Sequence, residues 1–308
     1  MMRTIRKAEH ESSPHTPGHL ARLACVAEVM APKAGNVSPG RDFADATWVD
    51  FVRSASVCAP ILDSAPALGV GRTILDCVQA TRRAVATNTN LGIVMLLAPL
   101  AALRPRERWR QGVSRVLDGL GPEDARLVYE AICLARPAGL GRVGREDVHD
   151  PPTLPLVEAM ALAAGQDAVA RQYANSFADV ARLGDRFTAV AGPLDKVIVC
   201  VHLEQMAYEP DSLIRRKCGI EVAAEAQRRA ASLLAAGWPD AAESADGFAA
   251  LDQWLRDDEH KRNPGTSADL VTAALYTALR DGHLREPFDW GESGFFHRQG
   301  RWKKPDSA

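Results

Sequence analysis

The clearest phosphate-binding residue types lie in two polar, glycine-containing segments. The first segment is Pro32-Lys33-Ala34-Gly35-Asn36, followed by Arg41-Asp42-Phe43-Ala44-Asp45. Lysine and arginine bind phosphate oxygens, and glycine lets a ligand approach the backbone. Asp42 and Asp45 could hold a magnesium ion that bridges phosphate groups. The ordinary alternative is a solvated loop in which one aspartate lies near a helix start.

The second segment combines a tight turn with a helix start, in the sequence His260-Lys261-Arg262-Asn263-Pro264-Gly265-Thr266-Ser267-Ala268-Asp269-Leu270. The Pro-Gly pair predicts the turn, after which Thr266 and Ser267 begin a helix with free backbone N–H groups. Lys261 adds positive charge, and Asp269 in the first helical turn could bind a metal ion. This is the strongest anion-binding pattern in the chain, although it is weaker than a Walker A loop, which the sequence lacks.

Two further polar junctions could contribute to the same site. The segment Thr87-Asn88-Thr89-Asn90-Leu91-Gly92 precedes the most apolar helical pattern, whose N-terminus would carry partial positive charge. The segment Asp211-Ser212-Leu213-Ile214-Arg215-Arg216-Lys217-Cys218-Gly219 places three cations between apolar residues, so at least one should point inward. The respective alternatives are a well-capped core helix and a solvated helix face.

We predict that the four junctions converge on one pocket that binds a phosphorylated ligand and a metal ion. The candidate phosphate-binding residues are Lys33, Asn36, Arg41, Asn88, Thr89, Asn90, Arg215, Arg216, Lys217, Lys261, Asn263, Gly265, Thr266 and Ser267. The candidate metal ligands are Asp42, Asp45 and Asp269.

The composition limits what kind of protein carries this site. The chain has 308 residues, 46% of them hydrophobic, and a formal net charge of −2. This charge gives no global attraction to nucleic acid or an anionic membrane, so neither is an expected partner. The six cysteines form no C-x-x-C pair and are expected to be mostly buried thiols in a reducing compartment. With no long apolar stretch and no signal-like N-terminus, we expect a cytoplasmic protein.

Helical periodicity runs through the chain and predicts an all-α fold of roughly ten to twelve helices in a single globular domain. The clearest helix is predicted over 167–183, with Asp167 as its N-cap. A second is predicted over 211–236, and the β-branched segment 194–203 is assigned to helix because its neighbours are helical. The predicted organisation is a flexible tail over 1–16, the helical domain over 17–282, and a short irregular C-terminal extension of turns or a hairpin over 283–308.

Taken in order, the four junctions resemble the triphosphoribosyl-dephospho-CoA synthase family, over about residues 20–282. The family's P-K-P-G-x-V is matched by Pro32 to Val37, and its S/N-P-G-G-S-A-D-L-L is nearly intact from Asn263 to Val271. The resemblance implies an all-α transferase that joins the riboses of ATP and dephospho-CoA with loss of adenine, and the acidic and basic residues beside two of the loops predict Mg²⁺ as its cofactor. Breaking an N-glycosidic bond needs a carboxylate that stabilises positive charge on the ribose, and Asp45 and Asp269 are the candidate catalytic residues, through metal binding or charge stabilisation.

The sequence departs from the family at Asn90 and Leu91, where the N-T-H-K-G motif has histidine and lysine. Loss of a charged hydrogen bond at these positions would cost about 1.5–3 kcal/mol of binding free energy. The change could alter which substrate is bound, so the acceptor could be dephospho-CoA or a related molecule. One alternative is an ATP-using transferase or ligase of pterin or furan cofactor biosynthesis in one-carbon metabolism. Another is a non-catalytic helical nucleotide-binding protein, which the carboxylates argue against. The oligomeric state stays open.

Overall fold

Fifteen α-helices and no β-strand form the part of the chain that the computed structural model describes, namely residues 15–142, 144–190, 192–239, 241 and 244–290. The predicted all-α fold is therefore confirmed. In chain order the helices are α1 (Pro17–Met30), α2 (Trp48–Asp63), α3 (Ala65–Leu68), α4 (Val70–Ala84), α5 (Leu91–Ala101), α6 (Trp109–Asp118), α7 (Pro122–Ala135), α8 (Leu156–Ala163), α9 (Ala168–Ala174), α10 (Ala178–Ala189), α11 (Leu194–Tyr208), α12 (Ser212–Cys218), α13 (Ile220–Ala235), α14 (Ser244–Arg256) and α15 (Gly265–Arg280).

Two helices, α5 and α15, form the centre of the fold. Every residue of α5 except Gly92 is buried, and so are thirteen of the sixteen residues of α15. Helices covered on all sides are apolar all round, as α5 is, whereas α15 also buries several hydroxyl side chains. α15 packs against α1, α5, α10 and α11. The polar groups at the starts of these two helices are therefore carried into the interior.

Two of the predicted long helices are broken, which raises the number of helices above the expected ten to twelve. The segment 167–183 divides into α9 and α10 because Ser176 and Phe177 have φ values of 55° and 63°. Phe177 is completely buried at this break. The segment 211–236 divides into α12 and α13 at Gly219, whose φ is 91°. The ambiguous segment 194–203 is helical, within α11.

The remaining expectations concern the termini, the cysteines and the membrane. Much of the predicted C-terminal hairpin falls on residues 291–308, which lie outside the described residues, as do residues 1–14. All six cysteines are free, with Cys25, Cys58 and Cys77 buried and the other three half-buried. Within the described ranges, none of the helices has the length and hydropathy that crossing a lipid bilayer requires.

Candidate functional site

A cavity of about 640 Å³ lies where the four polar junctions meet. Its polar side is formed by the loop between α1 and α2, the segment before α5, the end of α12 and the start of α15. Its apolar side is formed by α7, α8 and α9. The volume lies within the range of small-molecule sites, which is about 300–1,000 Å³.

Asp269 projects from the first turn of α15 toward the start of α5. A Cβ atom on Gly92 would lie 2.1 Å from Asp269 Oδ2, so glycine is what leaves room for the carboxylate. No hydrogen bond from the described part of the chain reaches this carboxylate. Burial, followed by the charges of Glu28, Asp211 and Asp167, raises the pKa of Asp269 well above its ordinary value. A proton or a cation would therefore be bound favourably at this carboxylate.

Asp211 joins the N-termini of α12 and α15. Its Oδ1 accepts hydrogen bonds from the backbone N–H groups of Leu213 and Ile214, at 2.8 and 3.1 Å. Its Oδ2 accepts from the backbone N–H and the hydroxyl of Ser267, at 2.7 and 2.8 Å. Burial raises the pKa of Asp211, and these hydrogen bonds oppose the rise. Because one carboxylate satisfies free donors of two helices, it fixes the start of α15 against α12.

Lys33 lies in a buried network beneath the cavity. Its ammonium group forms an ion pair with Glu28 at 3.0 Å and donates to the backbone carbonyls of Glu28 and Ala31. Burial lowers the pKa of Lys33 and raises that of Glu28, while the attraction between the two charges opposes both shifts. Glu28 lines the cavity and Lys33 does not, so Lys33 acts on the cavity through Glu28.

His202, from α11, extends this network without adding charge. The side-chain amide of Asn36 donates to His202 Nε2 at 3.1 Å, and the ring is completely buried. Burial and then the charge of Lys33 lower the pKa of His202 to about 3, and the backbone carbonyl of Pro264 opposes the shift. The ring is therefore neutral at neutral pH. Its hydrogen bond with Asn36 joins α11 to the loop after α1, and so positions Asn36 in the cavity wall.

Arg41 belongs to a cluster that anchors the loop after α1 to α14. Its guanidinium group is paired with Asp252. Asp252 also accepts hydrogen bonds from the backbone N–H of Gly35 at 2.8 Å and from Arg256 Nε at 2.9 Å. Arg256 in turn donates to the carbonyl of Asn36 at 2.6 Å. Gly35 has a φ of 73°, which favours glycine at this close approach. The cluster gives the loop a fixed shape.

The three polar residues before α5 make hydrogen bonds while also lining the cavity. Asn88 Oδ1 accepts from the backbone N–H of the first α5 residue at 3.1 Å. The hydroxyls of Thr89 and Ser54 lie 2.6 Å apart, and Asn90 Nδ2 donates to Cys58 Sγ at 3.4 Å. Ser54 and Cys58 both belong to α2. The junction is therefore a helix cap and also a wall of the cavity.

The three cations of α12 point in different directions. Lys217 lines the cavity, where its Nζ donates to Asn263 Oδ1 at 2.8 Å and burial lowers its pKa. Arg216 also lines the cavity and is paired with Asp167 at 3.1 Å. Arg215 donates to a backbone carbonyl in the turn between α8 and α9, outside the cavity. Lys217 and Arg216 are thus the cations of this helix that a ligand could reach.

A left-handed turn forms one rim of the cavity. Asp258, Glu259 and His260 have φ values of 61°, 56° and 60°. Three successive residues in this region are unusual, because each costs roughly 1–2 kcal/mol in a left-handed helix of L-amino acids. The turn places Glu259 and His260 in the cavity wall, where the His260 ring stacks on Phe43 with the centroids 4.3 Å apart.

The three predicted metal ligands are spread out in the described structure. Asp42 Oδ1 accepts from the backbone N–H of Trp48, the first residue of α2, at 2.9 Å. Asp45 is exposed and lines the cavity, and Asp269 lies deeper. Among the described residues, no cluster of three metal-ligand atoms includes any of these aspartates. Asp45 and Asp269 are therefore the two of these aspartates that a ligand in the cavity could reach.

The charges around the cavity do not favour an anion by themselves. Its walls contain four basic side chains, Arg82, Arg136, Arg216 and Lys217, and six carboxyl groups, Glu28, Asp45, Glu146, Asp167, Glu259 and Asp269, of which Glu28 is paired with Lys33. The basic side chains do not outnumber the carboxyl groups, so a polyphosphate would meet no net positive charge, which a divalent cation would supply.

The apolar side of the cavity has a different character. It presents side chains from the ends of α7 and α8 and the start of α9, including Ile132, Ala135, Met160 and Val169. Tyr129 lies among them, and its hydroxyl donates to Glu146 Oε2 at 3.1 Å. Burial raises the pKa of this phenol, which therefore stays neutral. A flat, weakly polar group would fit this side.

The structure thus brings most, though not all, of the candidate residues into one cavity. Those that line it are Asn36, Asp45, Asn88, Thr89, Asn90, Arg216, Lys217, Asn263, Gly265, Thr266 and Asp269. Those that do not are Lys33, Arg41, Asp42, Arg215, Lys261 and Ser267. The ligand roles of both groups stay predictions.

Several residues that shape the cavity were not among the sequence candidates. Glu28 and His202 each interrupt an apolar helical stretch, and an ionisable residue on a buried helix face is the signal that could have revealed them. Asp252 and Arg256 occupy an ordinary i,i+4 arrangement on α14, which has no distinguishing pattern. Their role follows only from the contact with the loop after α1.

Comparisons with known proteins agree with this picture. The family model described as ATP:dephospho-CoA triphosphoribosyl transferase (CitG) matches residues 14–288. A crystal structure from Archaeoglobus fulgidus, of a protein proposed to be a triphosphoribosyl-dephospho-CoA synthase, is similar with a TM-score of 0.60 and 22% identity. The similarity covers 75% of this chain and 99% of that one, and at this identity it shows the fold alone. A search of curated proteins found no match.

Proposed function

The chain belongs to the ATP:dephospho-CoA triphosphoribosyl transferase family and is a transferase, and we propose that its cavity is where ATP is bound and joined to the acceptor. In this reaction the glycosidic bond between the ATP ribose and adenine breaks. A bond forms between the same ribose carbon and a hydroxyl oxygen of the acceptor ribose. The hydroxyl loses its proton, adenine leaves with a proton, and the triphosphate stays attached.

Asp269 carries this proposal. It is a carboxylate in the cavity with no hydrogen bond from the described residues and with a pKa raised by burial and by neighbouring carboxylates. A raised pKa suits a group that takes a proton from an attacking hydroxyl, since the optimal catalytic pKa lies near the working pH. As an anion it would also stabilise positive charge that develops on the ribose. Asp45 is the second candidate, at the mouth of the cavity.

The triphosphate would lie on the polar side. Lys217 and Arg216 offer charge there, and the N-termini of α5 and α15 offer partial positive charge. Because the cavity walls have no excess of basic side chains, we propose that the nucleotide enters with Mg²⁺, held in part by Asp45 or Asp269. The apolar side would receive the adenine ring.

The direct test measures adenine release from ATP in the presence of dephospho-CoA, followed by mass spectrometry of the coupled product. We expect release that needs both substrates and that stops when Mg²⁺ is removed with a chelator. Calorimetry with ATP, with and without Mg²⁺, separates binding from chemistry. Tight ATP binding with no adenine release would contradict the proposal that dephospho-CoA is the acceptor.

A second candidate function rests on the start of α5. Asn90 is bonded to Cys58, and Leu91 presents an apolar side chain to the cavity, where the family motif has histidine and lysine. Asparagine cannot donate a proton to adenine at neutral pH, and leucine cannot neutralise phosphate. The acceptor could therefore be less charged than dephospho-CoA, as in an ATP-using transferase or ligase of pterin or furan cofactor assembly.

The acceptor is tested by the double variant Asn90→His with Leu91→Lys. If the two residues select the acceptor, the natural protein converts dephospho-CoA poorly and the variant is faster by roughly tenfold, the effect of one charged hydrogen bond. Equal or better turnover by the natural sequence would show that these positions do not select the acceptor. Leu91→Met, which keeps the apolar character, is the matched control.

A further inference from the structure

Two histidines and one glutamate that do not line the cavity come together where the start of α1 meets the segment after α15. His15 lies just before α1, His19 lies in its first turn, and Glu286 lies in the segment after α15. One ligand atom from each of the three lies within 4.8 Å of the other two. We propose that these side chains bind a divalent transition-metal ion, with zinc as the best-suited ion.

The distances between the three side chains suit a metal site. His15 Nε2 and His19 Nε2 lie 3.8 and 3.5 Å from the same oxygen, Glu286 Oε2. Both separations are too long for a hydrogen bond, which an imidazolium would make with a carboxylate at about 2.7–2.9 Å. In contrast, two ligand atoms on a tetrahedral zinc ion, each at about 2.1 Å, are separated by about 3.4 Å. Small side-chain movements would close the site around the ion.

The state of the His19 ring is a second observation. Its Nε2 atom is inaccessible to solvent and has no hydrogen-bond partner among the described residues. A buried polar atom without a partner loses its interaction with water and gains nothing in return, so it is rare in folded proteins. A metal ion coordinated by this nitrogen removes the deficit. The ligand set of two imidazoles and one carboxylate is one that zinc prefers.

The backbone on both sides holds the ligands in place before any ion binds. The Thr16 hydroxyl accepts from the backbone N–H of His19 at 3.3 Å, and Pro17 is the first residue of α1. The two imidazole rings are stacked, with centroids 4.4 Å apart. On the other side, Leu284 and Phe288 pack against the hydrophobic core, one on each side of Glu286. The ion would therefore tie the first helix of the domain to the segment that follows its last helix.

The test uses the full-length protein, freed of metal with a chelator, and titrates it with Zn²⁺ in competition with a chromogenic chelator under reducing conditions. We expect one equivalent to bind and the melting temperature to rise with Zn²⁺, because the ion binds the folded form. His19→Ala and Glu286→Gln should each weaken binding by at least about tenfold, since even outer-shell partners of metal ligands cost that much. His149→Ala is the matched control, because His149 is bonded to Asp147 elsewhere.

The ligands are identified by replacing zinc with Co²⁺. Nitrogen and oxygen ligands give visible bands of tetrahedral cobalt without the near-ultraviolet sulfur charge-transfer band that cysteine ligands would add. We expect this spectrum in the natural protein and its loss in the double variant His15→Ala with His19→Ala. Circular dichroism without metal checks that the variants are folded. Unchanged zinc affinity in the folded double variant, or a sulfur band in the natural protein, would overturn the proposal.

Discussion

Two aspartates lie beside the start of α15, Asp211 before α12 and Asp269 within α15, and their surroundings differ. Asp211 accepts four hydrogen bonds from the donors of two helices, whereas Asp269 accepts none from the described residues. Burial raises the pKa of both. Only Asp269 faces the cavity. The first is fully used in holding the structure together, and the second is left available to a ligand.

The difference shows how the protein separates stability from function at one helix end. The hydrogen bonds of Asp211 compensate for its burial, so its removal should be felt in folding. The charge of Asp269 is not compensated within the protein, so it should cost stability and be retained for activity. Each of the following experiments tests this separation, from the largest expected effect to the smallest.

Replacement of Asp269 should have the largest effect. We expect Asp269→Asn to lower kcat/KM for adenine release by at least about 100-fold, the usual contribution of a general acid or base. Its unfolding midpoint in urea should stay the same or rise, because an uncompensated charge is removed. Asp118→Asn, an exposed aspartate at the end of α6, is the control. Full activity in the Asp269 variant would end the catalytic assignment.

Gly92→Ala tests the position of the Asp269 carboxylate rather than its charge. The added methyl group would lie 2.1 Å from Asp269 Oδ2, so the carboxylate must move. We expect an activity loss of about 10- to 100-fold, since a displacement of about 1 Å can cost that much. Gly119→Ala is a suitable control, because its nearest neighbouring atom would be at 3.5 Å. An unaffected Gly92 variant would show that the close contact is not needed.

Asp211→Asn should show the reverse behaviour. The variant keeps one oxygen but places an NH₂ group opposite the donors of Ser267 or of α12. We expect the free energy of unfolding to fall by about 1.5 kcal/mol, the lower value for a charged hydrogen bond. The loss of kcat should be smaller than that of Asp269→Asn. Urea denaturation of the variant and of Asp118→Asn measures this. If the Asp211 variant were as stable as the natural protein, the two carboxylates would not differ in the way described.

The pH dependence of stability should report Asp269 directly. Its pKa in the folded state lies above the unfolded value of about 3.9, so its stabilising contribution is complete below that pH and is lost as the pH rises. The Asp269→Asn variant stays neutral throughout. The variant should therefore have no greater unfolding free energy than the natural protein near pH 3.5, and the difference in its favour should grow as the pH rises. The full difference is about 1.4 kcal/mol for each unit by which folding raises the pKa of Asp269. A difference that does not change between pH 4 and 8 would contradict the raised pKa.

The fold was largely predictable because helical periodicity is a local property of the sequence. The all-α class and the helical state of segment 194–203 followed from it. The helix breaks were harder to predict. Gly219 could have indicated one of them, but the break at Ser176 and Phe177 arises because burial of Phe177 outweighs the cost of a left-handed backbone. Such a trade depends on neighbours that a local pattern does not contain.

The site was predictable to the level of its segments and not of its individual contacts. The four junctions were identified because polar, glycine-containing runs interrupt apolar helices, and residues from all four line the cavity. Which side chains reach it depends on partners far away in sequence. Lys33 is paired with Glu28, Arg41 with Asp252, and Ser267 with Asp211, and none of the three lines the cavity.

The left-handed turn at 258–260 has a consequence for mutational tolerance. Asp258 and Glu259 are exposed, and exposed positions usually accept most residues. A positive φ is nonetheless unfavourable for β-branched side chains, and here three such positions follow one another. A saturation library should therefore accept glycine and asparagine at these positions and reject valine, isoleucine and threonine. This rim would therefore tolerate as few substitutions as a buried segment does, although it lies at the surface.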